Sequence, residues 1–224
     1  MRPVADCRLY GFLDTAYLGV RDPLDVVREL ILGGADIIQF RAKTWSGDDI
    51  MTVVRRILPI TRCANVPLII NDHIELARRA GADGVHLGQE DAAMMSVSAA
   101  RQRLGPGRFV GLSTHSLAQA KTAEELQPDY IGIGPLFPTG TKPGVAPIGL
   151  AALRDVARAV QLPAFAIGGV TLENLPAVIE HGGQRIAVVS AILCAPDVAA
   201  AARAFKHVIA SNLQSSTLNH PLLP

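Results

Sequence analysis

The stretch Gly34-Ala35-Asp36-Ile37-Ile38-Gln39-Phe40-Arg41-Ala42-Lys43 (residues 34–43) decides the fold. A glycine is followed by residues that alternate between apolar and polar, which predicts a helix end and then a strand. Because successive side chains of a strand point to opposite faces, Gln39, Arg41 and Lys43 share one face. A similar Gly-Ala-Asp junction recurs at residues 81–85, and a looser one at residues 182–186. The recurrence indicates repeated helix-to-strand units.

Short apolar runs alternate with longer amphipathic runs along the chain, which is typical of parallel strands joined by crossover helices. The predicted strands are Leu9–Phe12, Ile37–Arg41, Pro67–Asn71, Gly84–Leu87, Phe109–Ser113, Tyr130–Gly134, Ala164–Ile167 and Ile186–Val189. We therefore predict an α/β fold, a single (β/α)8 TIM barrel over residues 1–210. The tail at residues 211–224 is rich in Ser, Asn and Pro and is predicted to be loosely ordered.

The composition argues against several classes of protein. The chain of 224 residues carries 21 Lys+Arg and 20 Asp+Glu, and this balance gives no reason to expect a nucleic-acid partner. Its 3 cysteines have no metal-ligand spacing, so neither a zinc site nor a disulfide framework is indicated. No run is long enough to span a bilayer and no leader pattern is present, so we expect a cytoplasmic protein.

The shared face of the second strand raises a question of charge. Arg41 and Lys43 need an anion if they lie inside a packed domain, because burying an unpaired charge is costly. The chain has no acidic excess to supply one. We therefore expect a bound phosphate or diphosphate, rather than protein carboxylates alone, to neutralise these two cations.

Two acidic residues follow neighbouring predicted strands. Asp72 comes directly after strand three and Asp91 lies in the loop after strand four. Active sites of such barrels lie at the carboxyl ends of the strands, so the two carboxylates can converge there. Hard oxygen donors without His or Cys suit Mg²⁺, which completes its shell with water and phosphate oxygens. The alternative is that each Asp caps a following helix or turn.

A second phosphate site is predicted after strands seven and eight, where Gly168-Gly169 and Val189-Ser190 fall. The alternative for the glycine pair is a tight turn between strand and helix. The long segment of residues 135–148 carries Thr139, Thr141 and Lys142, which are donors that an anion recruits, and it is interpreted as a lid or binding loop. A purely structural Ω-loop is the alternative.

Two histidines fall near the predicted site. His86 lies in strand four and is interpreted as a core histidine with satisfied hydrogen bonds, pointing into the barrel. His115 follows strand five, where helix capping, substrate contact and acid–base catalysis are all open. No spacing in the chain indicates a catalytic triad.

The ordered motifs are similar to those of the thiamine-phosphate synthase (thiamine-phosphate pyrophosphorylase) family, from about Leu9 to Ile209. They are Gln39-Phe40-Arg41-Ala42-Lys43, Asn71-Asp72, residues 86–91, Gly111-Leu112-Ser113, residues 134–142, residues 166–170 and residues 189–192. The first strand departs from the family pattern, since Phe12-Leu13 precedes Asp14 where the family more often has Ile-Thr.

The resemblance implies condensation of 4-amino-2-methyl-5-hydroxymethylpyrimidine diphosphate with hydroxyethylthiazole phosphate, or its carboxylated tautomer, to thiamine phosphate and diphosphate. It implies Mg²⁺ on Asp72 and Asp91. It implies catalytic roles for Arg41, Lys43, Ser113 and Lys142. The substrate-binding residues that it implies are Gln39, Phe40, Arg41, Ala42, Lys43, Asn71, Ser113, Thr139, Gly140, Thr141, Lys142, Gly168, Gly169, Val189 and Ser190.

Other functions fit parts of the pattern. A thiazole tautomerase would be expected to lack the Asp pair and the Thr-rich loop, and a sugar-phosphate epimerase or indole-forming barrel has no use for a second, diphosphate pocket. A non-catalytic phosphate-binding barrel would not need the complete charged set. We expect small-molecule substrates, no nucleic acid and no membrane, and we leave open whether the chain forms a homo-oligomer.

Overall fold

Eight parallel strands close into a barrel in the computed structural model, with β8 pairing back to β1. The structure describes residues 1–89, 95–141 and 144–218, with side chains through residue 212. The strands are β1 Leu9–Asp14, β2 Ile37–Arg41, β3 Leu68–Asn71, β4 Gly84–Leu87, β5 Phe109–Thr114, β6 Tyr130–Ile133, β7 Ala164–Ile167 and β8 Arg185–Val188. The predicted (β/α)8 barrel is confirmed, and each predicted strand end lies within two residues of the observed one.

Helices follow the strands and cover the outside of the barrel. Those in the described ranges are α1 Pro23–Leu32, α2 Gly47–Cys63, α3 Ile74–Ala80, α4 Val97–Leu104, α5 Leu117–Leu126, α6 Gly149–Ala159, α7 Leu175–Glu180, α8 Ser190–Leu193 and α9 Val198–Leu218. Short 3₁₀ helices lie at Val4–Asp6 and Thr15–Tyr17. None of the described helices is long and apolar enough to cross a membrane.

Local sequence explains where the first two helices begin. The Asp22 side chain accepts a hydrogen bond from the Leu24 amide, and Pro23 is the first helical residue of α1. At the start of α2, the Ser46 hydroxyl accepts from the Asp49 amide at 3.2 Å and donates to the Asp49 carboxylate at 2.6 Å. Both caps follow from the residue pattern, in which a residue with a side-chain oxygen stands just before the first helical residue.

The predicted tail begins inside the last helix. α9 continues to Leu218, while residues 219–224 lie outside the described part of the chain. The division of the chain at residue 210 and the order of the tail therefore stay predictions.

Period-two alternation sorts the residues of β2 into two environments. Ile38 and Phe40 are buried on the helix side, whereas Gln39 and Arg41 line the inside of the barrel. Deeper in the barrel, the rings of Tyr10, Tyr130 and Phe165 meet with centroids 5.0–5.8 Å apart. Edge-on contacts of this kind stabilise an aromatic cluster, so the barrel floor is packed rather than open.

An aspartate just before a strand accepts hydrogen bonds from backbone amides at the start of the preceding strand, and this contact recurs. Asp36, before β2, accepts hydrogen bonds from the Arg8 and Leu9 amides at 2.8 and 2.9 Å. Asp83, before β4, accepts from the Leu68 amide at 2.9 Å, and Asp129, before β6, accepts from the Val110 amide at 2.7 Å. The two Gly-Ala-Asp junctions of the sequence therefore make the same contact between neighbouring strands, and Asp129 makes it at a third position. The contact satisfies strand-end donors that would otherwise lack a partner.

We predict that Asp36→Ala destabilises the barrel by about 2–4 kcal/mol, because it leaves buried donors and cations without their acceptor. Besides the Leu9 amide, the Asp36 carboxylate pairs with Arg2 at 2.6 Å and with Lys206. Urea denaturation checks this, with Asp25→Ala as the matched control, since Asp25 pairs with Arg28 on an exposed helix face. A loss no larger than that of the control contradicts the structural role of the junction.

Candidate active site

A cavity opens at the carboxyl ends of the strands and measures about 890 Å³, counting its open mouth. The structure brings many of the predicted site residues onto its wall: Gln39, Arg41, Asn71, Ser113, Thr139, Thr141, Gly168, Gly169, Val189 and Ser190. The strand ends that carry the predicted polar and charged side chains therefore surround one cavity.

Other predicted site residues lie away from the cavity wall. Phe40 is buried on the helix side of β2, where its ring meets Trp45 at 6.0 Å, and Ala42 is also buried. Gly140 and Lys43 do not line the cavity. Asp91 and Lys142 lie outside the described residues, so their predicted roles stay predictions.

Arg41 has a protein partner that the sequence did not reveal. Its guanidinium pairs with the Asp14 carboxylate at 2.7 Å, and the Asp14 side chain is only 1% exposed. Asp14 ends β1 and lies in register with Arg41 of β2. The sequence argument did not include this carboxylate, because β1 extends two residues beyond its predicted end and brings Asp14 into the site. The phosphate or diphosphate expected beside Arg41 stays a prediction.

Lys43 also has a carboxylate partner. Its ammonium lies 2.5 Å from Asp72 Oδ2, the same oxygen that accepts from the Asn71 side-chain amide at 2.5 Å. The alternative that Asp72 caps the following helix is not what the structure shows. The cap of α3 is His73, whose side chain makes no capping hydrogen bond.

The backbone of Asp72 is itself unusual. Its φ is +63°, in the left-handed region that non-glycine residues rarely adopt. Such strain persists where surrounding contacts determine it, and it occurs often at ligand sites. It turns the chain sharply at the end of β3, just beyond Asn71 on the cavity wall.

A metal site of three or more acidic, His or Cys side chains is not found among residues 1–89, 95–141 and 144–218. Asp72 is the described member of the predicted pair, and it offers hard oxygen donors of the kind that Mg²⁺ uses.

The glycine pair after β7 is required by close packing. Gly168 and Gly169 have φ of +95° and +66°, and a Cβ on Gly168 would lie 2.4 Å from the Pro135 Cβ. The Leu136 and Phe137 amides donate to backbone oxygens of Ile167 and Gly168 at 2.9 and 3.0 Å. The loop after β6 is thereby fastened to the turn after β7, so the turn alternative and a ligand-facing role are compatible.

The first loop also reaches the site, through a residue that the sequence analysis missed. The Tyr17 hydroxyl lies 2.8 Å from Thr141 Oγ1, and the Thr141 amide donates to Thr139 Oγ1 at 3.2 Å. These bonds link the 3₁₀ helix after β1 to the Thr-rich loop. The sequence offered no signal for Tyr17, because the two segments are far apart along the chain.

The two histidines both line the cavity but differ in their hydrogen-bond partners. His86 is 9% exposed, and its Nδ1 and Nε2 lie 3.2 Å from Tyr130 Oη and 3.0 Å from Ser113 Oγ. It is the satisfied core histidine that was predicted. His115 lines the cavity, and its Nδ1 donates to the Gly134 carbonyl at 2.5 Å. That bond connects the end of β5 to the end of β6.

Taken together, the fold and the site define an enzyme of the TIM-barrel class whose cavity carries ion pairs and a glycine turn at the carboxyl ends of its strands. A family model described as thiamine monophosphate synthase matches residues 9–192. The chain belongs to this family.

Relatives and solved structures agree with that assignment. The thiamine-phosphate synthase of Shouchella clausii is 41% identical over 88% of this chain and 93% of its own length. That of Chlorobium phaeovibrioides is 44% identical over 81% of this chain and 86% of its own length. The solved thiamine phosphate pyrophosphorylase of Pyrococcus furiosus is similar with a TM-score of 0.84 and 31% identity, over 95% of this chain and 100% of that one.

We predict that Asp14→Asn lowers kcat/KM for thiamine phosphate formation at least about tenfold, because Arg41 loses the charged partner that fixes its position. The substituted amide can still accept from the Ala16 amide, which Asp14 does at 3.0 Å, so the fold is retained. Steady-state kinetics and a thermal melt check this. The control is Asp22→Asn, at an exposed helix cap. Unchanged kcat/KM in a folded Asp14 variant contradicts the positioning role.

Proposed function

We propose that this protein joins 4-amino-2-methyl-5-hydroxymethylpyrimidine diphosphate to hydroxyethylthiazole phosphate, or its carboxylated tautomer, releasing thiamine phosphate and diphosphate, and also CO2 when the carboxylated form reacts. The observation that carries the proposal is one cavity with two unlike walls, in a chain of this family. One wall holds the polar ends of β2 and β3, and the other holds the glycine turn and Ser190 after β7 and β8. Two phosphorylated small molecules can lie side by side between them.

Gln39 on the first wall and Ser113 at the end of β5 contact the pyrimidine. The residues that contact its diphosphate are Arg41, Lys43, Asn71 and Lys142. Lys43 can reach an anion by exchanging its carboxylate partner for a phosphate oxygen. Arg41 keeps Asp14 on one guanidinium nitrogen and offers its other N–H groups to the phosphate, because a guanidinium has five donors. The Lys43 side chain is half exposed, so its movement needs little unpacking.

On the second wall, Thr139, Thr141, Gly169, Val189 and Ser190 bind the thiazole phosphate. Glycine with positive φ lets backbone N–H groups approach an anion closely, and the threonine and serine hydroxyls add donors. Because the loop after β6 is hydrogen-bonded to the turn after β7, these donors are held in place before the ligand arrives.

Asp72 and Asp91 would hold Mg²⁺, which when bound neutralises charge on the diphosphate. The donor chemistry fits, because Asp72 is an acid at the rim beside Lys43 and Asn71. The cytoplasmic location expected from the sequence belongs to the same proposal.

The reaction needs no protein nucleophile. The bond from the pyrimidinylmethyl carbon to the diphosphate oxygen breaks and the oxygen keeps the electron pair. The ring amine stabilises the resulting cation, and the thiazole nitrogen then bonds to that carbon. Arg41 and Lys43 stabilise the departing charge, and one well-placed donor of this kind is worth roughly 3–4 kcal/mol. The closed barrel floor aligns both substrates and limits access of water.

The deciding experiment incubates the purified protein with both substrates and Mg²⁺ and follows thiamine phosphate and diphosphate by chromatography. We expect both products in equal amounts, and none when either substrate is omitted or when EDTA removes the metal. Interconversion of thiazole tautomers without product would replace the proposal by an isomerase. A protein that binds the phosphates but changes neither would be a phosphate-binding barrel.

We predict that Lys43→Ala lowers kcat roughly 100-fold or more, because a cation is lost where charge develops on the leaving group. Single-turnover kinetics with both substrates measures this. Lys121→Ala on the exposed face of α5 is the matched control and should keep its rate. A folded Lys43 variant with the control's rate removes Lys43 from the catalytic set.

A further inference from the structure

Five buried side chains form one continuous line of hydrogen bonds across the inside of the barrel. Gln39 Nε2 donates to Tyr10 Oη at 3.0 Å, and Tyr10 Oη lies 2.8 Å from Tyr130 Oη. Tyr130 Oη lies 3.2 Å from His86 Nδ1, and His86 Nε2 lies 3.0 Å from Ser113 Oγ. We call this line the relay. Its two ends, Gln39 and Ser113, are the residues proposed to contact the pyrimidine.

The relay has a direction, which the amide of Gln39 sets. Tyr10 Oη accepts from Gln39, and a buried O–H without an acceptor is costly, so we infer that Tyr10 donates its one hydrogen to Tyr130. Tyr130 in turn donates to His86 Nδ1. In neutral His86 the proton then resides on Nε2, which donates to Ser113 Oγ. The Ser113 hydrogen is left to donate to a ligand.

The tyrosines keep their hydrogens under all ordinary conditions. Burial raises the pKa of Tyr10, and burial also raises the pKa of Tyr130 well above its usual value. Each tyrosine therefore remains a hydroxyl that accepts one hydrogen bond and donates one, as the direction of the relay requires.

The surrounding structure is shaped to hold the relay. A Cβ on Gly111 would lie 2.5 Å from Tyr130 Oη and 2.6 Å from His86 Nδ1, so only glycine leaves room for their contact. The Phe165 ring packs edge-on against both tyrosines, with centroids 5.0 and 5.5 Å away. Close packing holds the two tyrosine rings in place, so their hydroxyl groups stay within hydrogen-bonding distance of each other.

We propose that the relay selects the pyrimidine by its hydrogen-bonding edge, so that Tyr10, Tyr130 and His86 are positioning residues for substrate specificity. Gln39, donating inward through Nε2, presents its Oε1 as an acceptor, while Ser113 presents a donor. A 4-aminopyrimidine has the complementary edge, an N–H that donates and a ring nitrogen that accepts. A 4-oxopyrimidine has the reverse edge, a carbonyl that accepts and a ring N–H that donates.

This inference rests on the proposed function, because it takes Gln39 and Ser113 as the pyrimidine contacts. It goes further in assigning the choice between amino and oxo rings to residues in the barrel floor. A site with buried donors and acceptors in fixed directions rejects a ligand of opposite polarity strongly, since the mismatched groups stay unpaired.

The test measures equilibrium binding by calorimetry, with Mg²⁺ and without thiazole phosphate. The probes are 4-amino- and 4-oxo-2-methyl-5-hydroxymethylpyrimidine diphosphate. Binding is preferred to turnover as the readout because the amino group also stabilises the cation electronically, which would obscure recognition. For the unmodified protein we expect a preference for the amino compound on the order of 100-fold.

In Tyr130→Phe the relay is cut while the ring remains. His86 can then adopt either tautomer and the Ser113 hydroxyl can reverse, so the preference should fall at least about tenfold. Tyr10→Phe should do the same. Because the two hydroxyls act in series, the double variant should lose no more preference than either single variant, whereas independent packing effects would multiply.

The matched control is Thr61→Val, which removes a buried hydroxyl that donates to the Leu58 carbonyl at 3.1 Å within α2. It should lower stability without changing the preference. If one tyrosine variant does not fold, the other carries the test, because Tyr10→Phe and Tyr130→Phe each cut the relay without removing a pyrimidine contact.

Several results overturn the relay. They are no preference in the unmodified protein, an unchanged preference in a folded Tyr130→Phe, or multiplied losses in the double variant. Failure of the proposed function has a different signature. If the protein binds the amino diphosphate preferentially but forms no thiamine phosphate, the relay is supported and the proposed reaction is contradicted.

Discussion

Three carboxylates accept hydrogen bonds from strand-end amides and thereby hold neighbouring strands of the barrel in register. Asp36, Asp83 and Asp129 each accept from the first residues of the strand before their own. Because parallel strands in a closed barrel share one polarity, a register fixed at the amino ends also fixes which side chains meet at the carboxyl ends. Asp14 therefore faces Arg41 at one end of the same strand pair that Asp36 holds at the other.

The same register explains how polar groups are tolerated inside the barrel. Burying an amide or hydroxyl without a hydrogen-bond partner costs free energy, whereas in the relay each polar side chain has a partner and avoids that cost. His86 lies in register with Gly111 on β5, and the missing side chain there provides the space in which Tyr130 reaches the imidazole. The barrel floor thus combines an aromatic core with a bonded polar line, and the binding cavity begins directly above it.

The fold could be predicted from the sequence because alternating polarity within a strand and glycine at a helix end are local signals. They placed Gln39 and Arg41 on the inner face of β2 and identified His86 as a satisfied core residue. The partners of these residues were not readable, since they depend on register between strands that are distant in sequence. Asp14 was missed for this reason, and so were Tyr10 and Tyr130, which look like ordinary core aromatics when each strand is considered alone.

The pairing of both cations changes the electrostatic argument for the candidate site. Arg41 with Asp14 and Lys43 with Asp72 form two neutral pairs, so this wall supplies positioned donors rather than a net positive field. A diphosphate carries several negative charges and needs more positive charge than Arg41 and Lys43 provide while carboxylates lie beside them. Attraction must then come from groups added to the wall, which is the physical reason for proposing Mg²⁺ and Lys142 there. Mg²⁺ held by Asp72 would take that carboxylate from Lys43 and leave the Lys43 ammonium for the phosphate, so the proposed metal and the lysine would act on the same leaving group.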